Sequence, residues 1–161
     1  MRPQPSTKTL EIQAGFKEDE CQYCQLIEAG SGPLSQWLIT LAATPTSIAW
    51  LHKDQLWPGR CIVAARQHAT ELFLLGAEVR QAHLREMVSL AEAIQRAFAA
   101  DKMNYECLGN TIQHVHWHLI PRYSWDFLWR RTVWEEPHDP ELLGDSEYEE
   151  RVERIRAHLS W

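Results

Sequence analysis

The chain has 161 residues, enough for one domain with a buried core, and its 45% hydrophobic and 24% charged content is that of a soluble globular protein. A formal charge of −6 argues against a nonspecific nucleic-acid binder, which needs a basic stripe, but leaves room for a small anion held by local donors. No apolar run approaches the roughly 18 residues that span a bilayer, and the first residues lack the apolar stretch of a secretory signal, so no membrane partner is expected and a cytoplasmic location is the default.

In chain order, residues 1–15 are polar, contain proline and lack periodicity, which predicts a flexible arm or one that packs on a partner subunit. Residues 16–161 carry no repeat and no linker and read as a single domain. A short helix or turn is expected over 20–28, carrying Cys21-Gln22-Tyr23-Cys24 and stopped by Gly30-Ser31-Gly32-Pro33. Apolar runs at 37–41 and 47–51, separated by Thr44-Pro45-Thr46, suggest two paired strands. Pro58-Gly59 marks a turn into a buried strand at 60–65. The clearest helix covers 78–100, where Val79, His83, Met87, Leu90, Ala91, Ile94 and Phe98 share one face.

Two last strands are expected at 105–108 and 112–120, joined through Gly109-Asn110 and ended by Pro121. A Trp- and Arg-rich irregular segment follows at 123–134. A closing helix starts at the capping-box pair Ser146 and Glu149, with Tyr148, Val152, Ile155 and Leu159 on one face. These elements predict an α+β domain with a mostly antiparallel sheet of about five strands. Most of the eight Trp are expected in packing roles, and Cys61 and Cys107 as buried thiols.

The segment His114-Val115-His116-Trp117-His118 is the chemical signal. On a strand the three histidines project from one side, about 6–7 Å apart, with Val115, Trp117 and Leu119 on the other. Three readings are open from the residues alone: a solvated polar face, a metal site, or nucleophilic and acid–base chemistry at phosphorus. Neutral imidazole is nucleophilic near pH 7, and a phosphorylated histidine is labile enough to turn over. The Cys21/Cys24 pair is likewise open to three readings: a redox pair, half a zinc site, or coincidence.

The stretch Gly109-Asn110-Thr111-Ile112-Gln113-His114-Val115-His116-Trp117-His118-Leu119-Ile120-Pro121-Arg122 resembles the signature of the histidine triad (HIT) superfamily, His-φ-His-φ-His-φ-φ. Pro58-Gly59-Arg60-Cys61-Ile62-Val63-Ala64-Ala65-Arg66-Gln67-His68 resembles its turn, strand and trailing histidine, with the long helix between the two, and the likeness spans 21–123. This resemblance implies a HIT-like fold and a hydrolase or nucleotidyl transferase acting on a nucleoside phosphoanhydride, phosphoester or phosphoramidate. A dinucleoside polyphosphate is the favoured substrate. By the same resemblance His116 is the nucleophile that forms a nucleotidyl-histidine, His118 contacts phosphate oxygens or assists the leaving group, and His114 supports them. No catalytic cofactor is required. A nucleotide-binding or scaffold module with little turnover is the alternative.

Asn110 and Thr111 match positions that contact phosphate or the leaving group, and His52 lies near the ribose-binding position. Arg60 stands where many relatives carry a histidine, and its charge is a candidate phosphate contact. Arg122 reads equally as a phosphate ligand or a solvated charge. The short loop before the triad leaves either more room at the mouth or a different cover, supplied by 124–134. Relatives with an N-terminal CxxC bind structural zinc through positions matching Cys21, Cys24, His68 and His114, which implies the same site here. Members commonly pair as homodimers, and the resemblance implies that too.

Overall fold

Thr44 and Pro45 interrupt two apolar runs, and in the computed structural model those runs fold back as paired strands. The structure describes residues 20–161, so the arm expected at 1–15 lies outside the described residues. The elements are α1 (Gln22–Ala29), β1 (Leu38–Ala43), β2 (Ser47–His52), β3 (Cys61–Ala65), a 3-10 turn (Leu72–Leu74), α2 (Ala77–Phe98), β4 (Lys102–Glu106), β5 (His116–Arg122) and α3 (Asp145–Arg156). The five strands form one antiparallel sheet in the order β1-β2-β3-β5-β4. The α+β reading therefore stands, with one long helix and a C-terminal helix.

Alternation along each strand splits the core in two. Leu41, Ala49, Leu51, Cys61, Val63 and Leu119 face α2 and α3, meeting Leu90, Ala91, Ile94, Tyr148, Val152 and Ile155. Leu38, Ile48, Trp50, Ile62 and Ala64 take the other face, which α1 covers with Cys21, Tyr23, Cys24 and Leu26. The turn into β3 needs a glycine: Gly59 sits at φ 93°, and a Cβ there would lie 2.5 Å from the Phe98 ring.

Several boundaries differ from expectation. The strand expected at 105–108 runs from Lys102 to Glu106, and that expected at 112–120 starts at His116. Between them the backbone bends: Gly109 is left-handed (φ 64°), and His114 N–H bonds to the Ile112 carbonyl at 2.8 Å. Nor does Pro121 end β5, which continues to Arg122. The Val115 carbonyl accepts from Ala65 N–H on the β3 side, so by alternation the nitrogen of Pro121 faces that side as well. The β3 register stops at Cys61 opposite Leu119, so the missing N–H breaks no ladder bond. At α3 the cap is displaced: Gly144, not Ser146, is the N-cap, and its N–H donates to the Glu147 carboxylate at 2.9 Å.

Candidate active site and metal cluster

Residues directly opposed across a ladder share a face. His116 pairs with Ala64 and His118 with Ile62, which puts both rings on the α1 side of the sheet. There they line a cleft of about 370 Å³. Tyr23, Leu34, Trp37, Leu38 and Ile62 give it an apolar wall, while Asn110, Thr111 and His52 bring polar groups. Trp134, from the segment after β5, closes one side: its ring meets His118 edge-on at 5.3 Å, and its indole N–H donates to Glu106.

The hydrogen bond of His116 fixes its tautomer. Nδ1–H donates to the His114 carbonyl at 2.6 Å, so the lone pair is left on Nε2. Burial lowers the His116 pKa against that bond, which keeps the ring neutral. The His118 ring stands 5.1 Å from that of His116. Burial, with the charges of His116, Arg60 and His52, pushes its pKa down to about 3. Its Nδ1 is buried with no hydrogen-bond partner among the described residues, while the ring lines the cleft. His52 is also neutral, its pKa lowered to about 4 by burial and Arg60. Its Nδ1 accepts from Asp54 N–H at 3.0 Å, so Nε2 carries the proton, and the ring stacks on Trp37.

The two arginines are placed differently from these residues. Arg60 is 5% exposed, with its guanidinium bonded to Asp54 at 2.8 Å and 5.3 Å above the Trp134 ring. Its charge reaches the His118 end of the cleft, but the side chain is not part of the wall. Arg122 is 2% exposed and is no solvated charge. Its donors are committed to Asp126, Asn104 and the carbonyls of Leu128 and Arg131, which makes it a clamp on the segment after β5 rather than a cleft residue.

His114 belongs to a second cluster. The ligand atoms of Cys21, Cys24, His68 and His114 all lie within 4.8 Å of one another. His114 Nδ1 is 3.4 Å from Cys21 Sγ and 3.3 Å from His68 Nδ1, which is 3.3 Å from Cys24 Sγ. His114 Nε2–H donates to the Ala65 carbonyl at 2.7 Å and frees Nδ1 as a ligand. Four donors converging with no fifth position is the arrangement of a closed metal site.

Tyr23 and Trp37 were not among the expected site residues, whereas Trp134 belongs to the segment 124–134 offered as a cover for the mouth. Tyr23 carried a signal, since it lies between two candidate ligands. Trp37 reaches the cleft by long-range folding. Of the two other cysteines Cys61 is buried, but Cys107 is exposed, because the chain leaves β4 before it.

A five-stranded antiparallel sheet with two helices on one face, and a cleft built on a His-x-His-x-His segment on the other, defines a histidine-triad architecture. The HIT domain profile matches residues 39–125, more than half of the chain, and the chain belongs to that family. Solved relatives share the fold. A histidine triad protein from Bradyrhizobium japonicum is 24% identical over 79% of this chain and 94% of its own, with a TM-score of 0.73. One from Marinobacter aquaeolei VT8 is 28% identical over 78% and 91%, with a TM-score of 0.71. A Zn-bound histidine triad family protein from Mycobacterium smegmatis is 18% identical over 88% and 94%, with a TM-score of 0.60. No curated protein matches the chain. Among the described residues no helix is long and apolar enough to cross a membrane.

Proposed function

We propose that the protein transfers or hydrolyses nucleotides by attack of His116 Nε2 on the α-phosphorus of a nucleoside phosphoanhydride, phosphoester or phosphoramidate. The single observation that carries this reading is the bond from His116 Nδ1–H to the His114 carbonyl, which leaves the nucleophilic lone pair on a neutral ring in the cleft. Nε2 forms a bond to phosphorus as the bond to the leaving group breaks. A phosphate departs as an oxyanion, whereas an amine or alcohol leaving group takes its proton from water in the cleft, which the later loss of a proton by the attacking water balances. Water then adds to phosphorus, releases the nucleoside monophosphate and returns His116 to its neutral form.

The other residues fit supporting roles. His118, whose ring lines the cleft, would act as an N–H donor to phosphate oxygens, and Asn110 and Thr111 offer short polar groups from the loop beside it. His52 Nε2–H suits a ribose hydroxyl, and the apolar wall with Trp37 suits a nucleobase. Arg60 contributes its charge from behind Trp134 rather than a direct bond. Dinucleoside polyphosphates, beginning with diadenosine tetraphosphate, are the first substrates to test.

Zinc is the metal that suits the second cluster. Bonds of about 2.3 Å to sulfur and 2.0–2.1 Å to nitrogen imply tetrahedral edges of about 3.3–3.6 Å. Four of the six ligand spacings, three S···N and the N···N, are 3.3–3.6 Å and match them, with all six within 4.8 Å, and the Mycobacterium smegmatis relative is Zn-bound. Cys21, Cys24, His68 and His114 would hold the ion with no open position, so its chemistry is structural, drawing the first turn of α1 onto the strand that bears the histidines. A homodimer and a cytoplasmic location complete the reading.

The test is covalent trapping. With an α-labelled nucleotide, the wild type should carry label that is absent from His116→Ala, and His116→Ala should lose turnover while still binding AMP. Full activity in His116→Ala would sink the mechanism. Binding without any adduct in the wild type would make the chain a nucleotide-binding module instead.

A further inference from the structure

Tyr23 stands between two ligands of the metal cluster and against the ring of His116. It is 2% exposed, with its ring centroid 4.6 Å from that of His116, 5.5 Å from His114 and 6.0 Å from Trp50. It is carried by the first turn of α1, an eight-residue helix whose N-cap, Cys21, makes no side-chain capping bond. A helix this short is not stable in isolation, so α1 is held by what its side chains engage. Those engagements are the small core under the sheet and the converging thiols.

His114 is a second link to the same ring. Nδ1 faces the thiols, Nε2–H is tied to Ala65, and the main-chain carbonyl receives the proton on His116 Nδ1. The cluster therefore meets His116 twice: on its face through Tyr23, and at Nδ1 through the backbone of a ligand.

We propose that Tyr23 and His114 are positioning residues through which a metal ion bound by Cys21, Cys24, His68 and His114 holds the His116 ring in its reactive orientation and tautomer. The inference rests on the nucleophilic role given to His116 above. Without the ion, the thiols reach His68 and His114 only through weak sulfur–nitrogen contacts of 3.3–3.6 Å, in place of bonds to a shared centre. Helix α1 then loosens, the Tyr23 ring leaves His116, and the His114 carbonyl is free to turn away from Nδ1–H. The tyrosine works through its ring, because that is the part in contact with His116.

The experiment compares zinc-loaded wild type, Tyr23→Leu and Tyr23→Phe by metal content, steady-state kinetics on diadenosine tetraphosphate and side-chain ¹H–¹⁵N NMR of His116. Tyr23→Leu should retain one zinc per chain and a KM within about twofold. Its kcat should fall by about 10- to 100-fold, the loss expected of a nucleophile displaced by about an ångström. Its His116 Nδ1–H resonance should broaden or shift. Tyr23→Phe, which keeps the ring against His116, should restore most of the kcat lost in Tyr23→Leu together with the wild-type resonance, and chelation should weaken the same resonance in folded wild type. Wild-type kcat in zinc-loaded Tyr23→Leu overturns the proposal, as does an unshifted Nδ1–H resonance in that variant. If apo-protein unfolds, zinc-loaded Tyr23→Leu decides alone. If the wild type turns over no nucleotide, the functional reading fails, and the resonance in Tyr23→Leu still judges this one.

Discussion

Arg60 brings a permanent positive charge into the apolar surroundings of Trp134, and it does so only because Asp54 is buried beside it. Burial would raise the Asp54 carboxyl, but bonds from His138 and from the Leu56 and Glu141 amides, with the Arg60 charge, outweigh it and hold the pKa below 3.8. Removing one partner of a buried pair strands the other, which costs about 3–5 kcal/mol. Asp54→Ala should therefore lose stability on that scale in urea denaturation, and the Trp134 cover should loosen. A loss no larger than that of an exposed substitution such as Glu92→Ala would show that Arg60 is not held by this pair. The sign of the pH effect follows from the depressed pKa: the ionised Asp54 stabilises the fold fully above its unfolded value, about 3.9, and the contribution is lost as pH falls through the lower folded value. Acid unfolding should accordingly have an Asp54-dependent component below about pH 4. Stability measured against pH in wild type and Asp54→Ala would reveal it as a difference that narrows on acidification.

At the scale of elements, β5 is fixed from behind by a directional chain of hydrogen bonds. Trp117 Nε1–H donates to His83 Nε2 at 3.2 Å, so His83 carries its proton on Nδ1 and donates to Ser47 Oγ at 2.8 Å, and Ser47 donates in turn to Glu86. Burial lowers the His83 pKa to about 4, which keeps the ring neutral and this direction intact. Trp117→Phe removes the one donor, among the described residues, to the Nε2 of a ring that is 0% exposed and leaves an unpaired acceptor, at about 1–3 kcal/mol. Urea denaturation should detect that loss with zinc content unchanged; an unaltered midpoint would mean that water replaces the indole. His83 was legible from the sequence as a member of the apolar face of α2, but its partners on β2 and β5 were not, because no local pattern encodes which strands the helix crosses. The same limit explains the rest of the site. His116, His118 and the four residues of the candidate metal cluster follow from spacing and resemblance, and Asn110, Thr111 and His52 do reach the cleft. Arg122 does not, since its fate is set by Asp126 and by carbonyls of a segment with no regular structure. Strand ends were misread where the decisive fact was the direction of a backbone nitrogen, as at Pro121, or a bend serving a side chain, as at His114.

For the whole molecule, the metal cluster joins residues 21, 24, 68 and 114, which lie far apart along the chain. Binding that favours the native state stabilises it by about 2.7 kcal/mol at a free metal concentration 100 times Kd. Chelation should lower Tm, and faster hydrogen exchange should appear first in α1 and around residues 66–70 and 107–115, with α2 retaining its protection. Uniform loss of protection would instead make the cluster a global fastener. The proposed homodimer would use the β4 edge of the sheet. At the β1 edge, Arg156 from α3 bonds the Leu41 carbonyl, while β4 is the other outer strand and Tyr105 on it is 45% exposed. Because residue 121 directs its backbone toward β3, its neighbours Ile120 and Arg122, with His118, face β4; the bonds from β4 to β5 therefore run through residues 102, 104 and 106, and the N–H groups of 103 and 105 point outward. Two copies meeting along β4 in antiparallel fashion would satisfy those groups and continue the sheet from one subunit into the next. Tyr105→Pro removes one outward donor without touching an inward bond, so it should convert a dimer to monomers in light scattering while leaving the circular dichroism of the subunit unchanged. A wild type that is monomeric at micromolar concentration, or a dimer indifferent to Tyr105→Pro, would exclude this edge as the seam.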